Sequence, residues 1–340
     1  MDGVLPPALG AKFIVENGSL IKINTEGIKN VAKLIYEADL QNTIEEVEFA
    51  AHCLHPKDGG LKAVDWVFLS DSINFSFWPD EGKKYDVTYN GKSYTGYFAS
   101  CAAINKALDA GIPVTSAEWM AKATKEEIQK IFKADSGHDI PLLNERVGAI
   151  NDSGLVLLEK WQGSFYNCVK AAGGSAQSLL RIIVENFKSF RDIAEYNGQK
   201  VAILKRAQIL IADVAGALKG VDTIGEFPDL GTLTMFADYR VPQALAFLGA
   251  LEYSQKLLDR LGEGKRLDNG SAEEVELRGF SIWACELIVE EIRRLKQSGT
   301  DNGKEVNAAL VDMFVWVYRR QHAKEVEDKV PFHRTRCIFY

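Results

Sequence analysis

One aspartate in an apolar stretch is the first candidate for chemistry in this sequence. Asp238 stands in LTMFADYRVPQALAF, between Phe236 and Tyr239 and shortly before Pro242. Burying a carboxylate is costly unless it is paired or hydrogen-bonded, so an acid among aromatic residues requires a reason. Asp238 either caps the helix that follows, with Arg240 as a salt-bridge partner, or belongs to a functional site.

A second aspartate has similar surroundings. Asp312, in ALVDMFVWVYRR, is the only charged residue in a seven-residue apolar window, and Trp316 follows one helical turn later on the same face. A lone Asp on a buried helix either binds a neighbouring loop or takes part in a site. The sequence favours neither hypothesis over the other.

Basic residues also occur in apolar surroundings. Lys205 and Arg206 interrupt the stretch VAILKRAQILIADVAGAL near its start, and Arg334 and Arg336 lie in the aromatic tail VPFHRTRCIFY. Long basic side chains commonly reach solvent from such positions. The alternative is that they bind a phosphate, and we expect the tail to be docked.

Three aromatic residues are crowded into DSINFSFWPDE. Phe75, Phe77 and Trp78 lie within four positions. Such a group is more often part of a hydrophobic core than of a binding site. If the rings line a pocket, their flat faces suit a planar heterocycle.

The composition indicates a compact globular protein. The 340 residues are 46% hydrophobic and 26% charged, with a net charge of −7. The start of the chain does not resemble a signal peptide, and no apolar run reaches the roughly 18 residues of a membrane span. The five scattered cysteines fit reduced thiols. We therefore expect a cytoplasmic protein, with the nucleus as a further compartment, that binds neither membranes nor long nucleic acids.

Motifs for common cofactors are missing. His52, Cys53 and His55 in AHCLHP are not followed by a second ligand pair, so we predict no metal site. The sequence contains no GxSxG elbow, no phosphate-binding GxxxxGK[ST] loop and no GxGxxG fingerprint. We expect no cofactor.

Helical periodicity dominates the chain, with one clear β-hairpin. Apolar residues recur at helical spacing in several ranges, among them 28–40, 116–132, 204–218, 242–261 and 273–296. Asn90-Gly91 predicts a hairpin near residues 85–97, and Asn197-Gly198 predicts a shorter one that leads into the helix near Lys205. The fold class is therefore mainly α with a small β-hairpin element.

The sequence predicts one compact unit over residues 1–340. The cluster of Ser, Gly and Pro at 134–141 separates a mixed part, 1–140, from a helical part, 141–340, that carries most of the candidate residues. No stretch is polar and long enough to be an independent linker.

Several uninterrupted segments resemble one known family from end to end. These are TMFADYRVPQ, INFSFWPD, LKRAQILIAD, TGYFASCAAINKALDAGIPVTSA, QGSF and PFHRTRCIFY. They are similar to the queuosine salvage proteins, the queuosine 5'-monophosphate N-glycosidases. The resemblance implies a helical fold related to the helix-hairpin-helix DNA glycosylases, a monomer without metal or organic cofactor, and the release of queuine from the nucleotide for reuse in tRNA modification.

The resemblance also implies roles for the acids. Asp238 and Asp312 fall in the base-binding and catalytic site, with Lys205 nearby. Known members tend to carry an acid before the Tyr of the late helix, whereas this chain has Val317 before Tyr318, so no carboxylate role is assigned there.

The chemistry of N-glycosidic cleavage suggests which residues act on the sugar, the base and the phosphate. Positive charge builds on the sugar, so a carboxylate below C1′ can stabilise the transition state or attack it, and Asp238 is the first choice. Asp312 is the candidate partner for the cationic amine of queuine, although the two roles could be exchanged. The remaining candidates are grouped by ligand part: Phe236, Trp316, Phe75, Phe77 and Trp78 for the base, and Lys205, Arg240, Arg334 and Arg336 for phosphate and sugar.

Two other functions use the same residues. One is a glycosylase that acts on another modified nucleotide; a nucleic-acid glycosylase would need a basic face, which the net charge of −7 disfavours. The other is a non-catalytic protein that binds queuine or a nucleotide.

Overall fold

The computed structural model describes residues 3–41, 49–298 and 305–340, and it is mainly helical with small sheets. The helices are α1 (Pro7–Asn17), α2 (Thr25–Leu40), α3 (Gly60–Ser72), α4 (Tyr97–Asp109), α5 (Ala117–Lys122), α6 (Lys125–Phe132), α7 (Leu143–Lys160), α8 (Tyr166–Ala171), α9 (Ala176–Asn186), α10 (Lys205–Leu218), α11 (Val241–Phe247), α12 (Gln255–Gly262), α13 (Ala272–Ser298), α14 (Ala308–Gln321) and α15 (Ala323–Lys329). The strands are β1 (Val4–Leu5), β2 (Ile21–Ile23), β3 (Asp86–Tyr89), β4 (Lys92–Thr95), β5 (Ile193–Tyr196), β6 (Gln199–Ala202) and β7 (Leu251–Tyr253). Among the described residues, no helix has both the length and the apolar composition that crossing a bilayer requires.

The chain forms two compact units, each built from separate stretches of sequence. The first unit contains the described residues of 1–48 together with 192–208 and 231–336. The second unit contains 49–191, 209–230 and 337–340. The loop at 134–141, where the sequence predicts a boundary, lies inside the second unit.

Both predicted hairpins are present. β3 and β4 pair around Asn90-Gly91, whose φ angles are 49° and 75°, and β5 and β6 pair around Asn197-Gly198, at 48° and 77°. These positive φ angles are those of a type I′ turn. In the first unit β1 extends the second hairpin in the order β1-β6-β5, and β2 pairs with β7. As expected, the second hairpin leads directly to Lys205, the first residue of α10.

The first unit is organised around the long helix α13. Helices α1 and α2 pack against α13, and α11 and α14 contact it as well. Gly279 allows the close approach of α1, because a Cβ atom there would lie 2.6 Å from Cδ1 of Ile14. A glycine in mid-helix costs roughly 1 kcal/mol, which this packing offsets.

The second unit has an aromatic core. Phe68 stacks on Phe165 with ring centroids 4.5 Å apart, and Phe187 meets both rings edge-on. The last four residues of the chain belong to this unit. The N–H of Ser76 donates to the carbonyl of Tyr340 at 2.8 Å, so the C-terminus is docked as predicted.

Two predicted helices are wrong in extent. The range 242–261 is not one helix, because Gly249 adopts φ 78° and the chain forms α11, β7 and α12 in succession. The range 116–132 is divided between α5 and α6 by a capping box at Thr124. In both places a local stop signal overrides the apolar periodicity.

We predict that Gly249→Ala lowers the free energy of unfolding by about 1–2 kcal/mol, because a Cβ atom disfavours the left-handed conformation. An added Cβ at this site meets no atom within 4 Å, so the effect isolates backbone strain. Urea unfolding measures it. The matched control is Gly262→Ala on α12, where an added Cβ also meets no atom within 4 Å and φ is not positive. The control should be neutral or stabilising; equal losses in both variants would contradict the explanation.

Candidate active site

Asp238 is held at one carboxylate oxygen and open at the other. Its Oδ1 accepts hydrogen bonds from the N–H groups of Arg240 at 2.7 Å and Val241 at 2.8 Å, at the start of α11. Within the part of the chain that the structure describes, Oδ2 accepts no hydrogen bond. The side chain is half-buried. The capping hypothesis is therefore correct for Oδ1, and it leaves Oδ2 available for a ligand.

The segment before Asp238 is buried although it belongs to no helix or strand. Residues 233–237 are at most 2% exposed, so their peptide groups need partners other than water. Gln208 on α10 supplies one: its Oε1 accepts from the N–H of Thr234 at 2.9 Å, and its Nε2 donates to Oγ1 of Thr234 at 2.9 Å. Gln208 could not be recognised from the sequence, because a glutamine in a helix gives no signal of a distant partner.

Asp312 on α14 supplies a second partner. It is 4% exposed, and its Oδ2 accepts from the N–H of Phe236 at 3.1 Å. Burial raises the pKa of the Asp312 carboxyl well above its ordinary value, and the nearby charge of Asp238 raises it further. The N–H of Phe236 and the ammonium group of Lys205 oppose this shift. Asp312 thus binds a loop, as one hypothesis held, and is also a strongly perturbed acid.

Lys205 lies at the first position of α10. It is 6% exposed, and its backbone N–H donates to Oδ2 of Asp192 at 3.1 Å. Its ammonium group lies close enough to Asp312 to favour the ionised carboxylate. Arg206 is 1% exposed, so both neighbouring basic residues are buried and neither side chain extends into solvent. The first unit therefore brings together Asp238, Asp312 and Lys205.

Phe236, Trp316 and Arg336 also belong to the first unit. Phe236 is buried, and Trp316 is half-buried one turn after Asp312, with the guanidinium of Arg320 5.1 Å from its ring centroid. Arg336 is half-buried at the end of the unit.

Arg240 and Arg334 share one aromatic ring. The guanidinium of Arg240 lies 4.0 Å from the ring centroid of Phe332, and that of Arg334 lies 5.0 Å from it. Both are cation–π contacts. The Nη1 of Arg334 also donates to the carbonyl of Gly264 at 3.1 Å.

Arg319 is a further cation that the sequence analysis did not select. Arg240 and Arg319 both donate to Oε1 of Glu327, Arg240 at 3.1 Å. Two guanidinium groups thus share one carboxylate that is half exposed, and Asp238 adds a second negative charge near Arg240. Burial, and then the charge of Arg319, lower the pKa of Arg240. Basic residues are common at the C-terminal end of a helix, where they interact favourably with the helix dipole. The sequence alone therefore did not single out Arg319, which is followed by Arg320 at such a position.

Phe75, Phe77 and Trp78 lie in the second unit. They are 1%, 6% and 5% exposed. The guanidinium of Arg146 lies 4.3 Å from the ring centroid of Phe75 and 4.8 Å from that of Phe77, and it donates to the carbonyl groups of Ile73 and Phe75. The rings pack as core residues of this unit. Their contact with a base stays a prediction.

The histidines near residue 50 are engaged in other contacts. His52 stacks on Phe98 with centroids 3.7 Å apart. The two ring nitrogens of His55 hydrogen-bond to the carbonyl of Phe49 at 2.7 Å and to the hydroxyl of Tyr97 at 3.1 Å. Across residues 3–41, 49–298 and 305–340, no three His, Cys, Asp or Glu side chains are grouped to hold a metal ion.

His333 is buried near two arginines. It is 1% exposed, and burial lowers its pKa to about 3, with the charges of Arg278 and Arg240 acting in the same direction. A buried neutral histidine next to cations is stable only while it remains unprotonated.

The chain is similar to named proteins along its length. A family model described as queuosine salvage protein matches residues 54–340. The queuosine 5'-phosphate N-glycosylase/hydrolase of Mus musculus is 46% identical over 341 residues, which cover 100% of both chains. The protein of the same name from Schizosaccharomyces pombe is 38% identical over 97% of this chain and 98% of its own. That from Sphaerobacter thermophilus is 40% identical over 84% of each chain.

We predict that His333 makes the protein less stable in acid. Between pH 6.5 and about 3 the unfolded histidine binds a proton and the folded one does not, so the free energy of unfolding falls as pH falls through this window. From pH 6.5 to pH 5 the loss is roughly 2 kcal/mol. Urea unfolding of His333→Gln at a series of pH values should show a shallower decline. The difference at pH 8 gives the pH-independent cost of the substitution, and parallel curves would contradict the prediction.

Proposed function

This chain belongs to the queuosine salvage protein family, and on that premise we propose that it hydrolyses the N-glycosidic bond of queuosine 5'-monophosphate and releases queuine. The observation that supports the proposal most directly is the hydrogen bonding of the Asp238 carboxylate. Two backbone N–H groups orient its carboxylate through Oδ1, and Oδ2 accepts no hydrogen bond within the described residues. A second, strongly perturbed acid and a buried lysine lie in the same unit.

Asp238 is the residue that acts on the sugar. Cleavage moves the bonding electrons to the base and leaves positive charge at C1′, which Oδ2 can stabilise or bond. Water then supplies a hydroxyl group to C1′, and its proton balances the departing base. Because Oδ1 is fixed at the start of α11, Oδ2 needs no reorganisation to meet the developing charge.

Asp312 binds the base. Its high pKa in the free protein results first from burial and then from Asp238. A cation placed beside the carboxyl favours ionisation, so the amine of queuine would pair with Asp312 as the substrate enters. Phe236, whose N–H binds Asp312, and Trp316, one turn further along α14, provide apolar and aromatic surface next to this acid.

The 5'-phosphate is bound by cations of the first unit. Lys205 is the first choice, because it is a buried cation in the same unit as Asp238. Arg240, Arg334 and Arg336 are further candidate donors, because guanidinium groups form charge-assisted hydrogen bonds with phosphate.

We also propose a fold relationship, an oligomeric state and a cellular compartment. We expect a fold related to the helix-hairpin-helix DNA glycosylases and a monomer that acts in the cytoplasm on the free nucleotide. The net charge of −7 supports a small substrate, because a nucleic-acid polymer attracts basic surfaces.

The first test is detection of free queuine by mass spectrometry after incubation with queuosine 5'-monophosphate, the 3'-monophosphate or the nucleoside. We expect release from the 5'-nucleotide, and a loss of roughly 10³-fold or more in Asp238→Asn, which keeps the size of the side chain but removes its charge. Asp328→Asn, an exposed position on α15, is the matched control and should retain full activity.

Two outcomes would count against this proposal. Full turnover by folded Asp238→Asn would remove the catalytic role of that residue. Absence of release from every substrate, with measurable binding of queuine, would indicate a non-catalytic binding protein.

Lys205→Ala tests the phosphate contact. Removing the ammonium group should raise KM for queuosine 5'-monophosphate roughly 10- to 100-fold, because a charge-assisted hydrogen bond is lost. KM for the nucleoside, which has no phosphate, should change much less. Steady-state kinetics on both substrates give the comparison. Equal effects on the two substrates would exclude the phosphate role.

A further inference from the structure

A buried arginine on α13 connects two parts of the candidate site. Arg278 is 1% exposed and forms a two-pronged ion pair with Asp192, with Nη1 3.0 Å from Oδ1 and Nη2 2.5 Å from Oδ2. Its Nη1 also lies 3.3 Å from Oε1 of Glu274, and its Nε donates to the carbonyl of Ala237 at 3.0 Å. One side chain thus contacts two acids and a backbone carbonyl.

The Asp192 end leads to Lys205. Oδ2 of Asp192 accepts the backbone N–H of Lys205 at 3.1 Å, and its carbonyl accepts the N–H groups of Ile203 and Leu204 at 2.9 and 3.2 Å. Leu204 adopts φ 55°, a left-handed conformation that is unfavourable for a leucine. Asp192 therefore stabilises the strained turn from which α10 begins, and Arg278 holds Asp192.

The other end leads to Asp238. Ala237 is 0% exposed and immediately precedes Asp238 in the buried segment. Its carbonyl needs a hydrogen bond, which Arg278 supplies. The position of Arg278 therefore fixes both the start of α10 and the residue before Asp238.

From these contacts we propose that Arg278 is a positioning residue that sets the separation between Lys205 and Asp238. The inference rests on the proposed function, in which Lys205 binds the 5'-phosphate and Asp238 faces C1′ of the same nucleotide. When two groups bind different parts of one substrate, their separation decides whether binding of one part aligns the other for reaction. Arg278 makes no contact with substrate in this role.

Arginine suits this position for a geometric reason. The planar guanidinium directs its donors along fixed directions, so it can bind both oxygens of Asp192 and the carbonyl of Ala237 at once. A lysine keeps the charge but has a single nitrogen, so it cannot maintain both connections. Arg278→Lys therefore separates the geometric contribution from the charge.

The experiment compares Arg278→Lys with Glu276→Gln. Glu276 lies two positions away on α13 and is 2% exposed; it binds the hydroxyl of Tyr196 at 2.8 Å and the N–H of Leu20 at 2.8 Å. Both variants alter a buried charged residue of the same helix, but we have assigned Glu276 no part in the reaction. Each is assayed below its own melting temperature, with kcat and KM measured for queuosine 5'-monophosphate and for the nucleoside.

We expect Arg278→Lys to lower kcat for the nucleotide roughly 10- to 100-fold, with a much smaller loss for the nucleoside, because phosphate binding no longer aligns C1′. The advantage of the nucleotide over the nucleoside in kcat/KM should shrink, while Glu276→Gln leaves it unchanged. Amide hydrogen exchange of the Lys205 N–H should be faster in Arg278→Lys than in Glu276→Gln. Asp192→Asn, which keeps the shape of the side chain and removes its charge, should reproduce both effects.

The outcomes separate this inference from the proposed function. If the unaltered protein releases no queuine, the proposed function fails. If that protein is active and folded Arg278→Lys keeps its preference for the nucleotide, the positioning role is wrong. Failure of both Arg278→Lys and Asp192→Asn to fold would show that the ion pair is only structural and would also overturn the inference.

Discussion

The first unit depends on how a buried stretch of irregular backbone is satisfied. Residues 233–237 belong to no helix or strand, yet they are shielded from water, so each N–H or C=O left without a partner would cost free energy. Side chains from three helices form hydrogen bonds with these backbone groups: Gln208 on α10, Asp312 on α14 and Arg278 on α13. The segment ends at Asp238, so its anchoring also sets the position of that acid.

This constraint explains why structural roles fall on the same residues to which we propose catalytic roles. Asp312 is needed to bind the N–H of Phe236, and its burial in that role raises its pKa. Asp238 uses Oδ1 to bind the N–H groups of Arg240 and Val241 at the start of α11, and the proposed reaction uses its other oxygen. Two carboxylates in one unit thus have different environments, which is the usual way in which acids acquire separate tasks.

Several charged groups of this unit are connected to one another in sets. Arg278 is paired with Asp192 and Glu274, and Arg240 and Arg319 share Glu327 with Gln243 between them. Buried ion pairs offer little net stability, because the desolvation of both charges offsets their attraction. In this unit the directional hydrogen bonds of each set hold a candidate residue in a fixed position relative to a helix.

Local features were predictable because they depend on a few neighbouring residues. Asn90-Gly91 and Asn197-Gly198 predicted two hairpins correctly, and the apolar periodicity predicted a mainly helical chain. The same periodicity gave a wrong helix over 242–261, because the conformation of Gly249 and the pairing of β7 with β2 are not visible in apolar spacing.

The sequence by itself singled out Asp238, Asp312 and Lys205, because a charged residue in apolar surroundings is improbable without a partner. Only the tertiary structure decided what those partners are. Asp312 meets Phe236, and Arg278 meets Asp192, across separations of 76 and 86 residues. Contacts of this kind have no local signature: a buried arginine or glutamine on a helix looks like any surface residue until the fold brings its partner to it. The residue types in the sequence thus indicate the chemistry of the candidate site. Its geometry is set by packing between segments that are distant in the sequence.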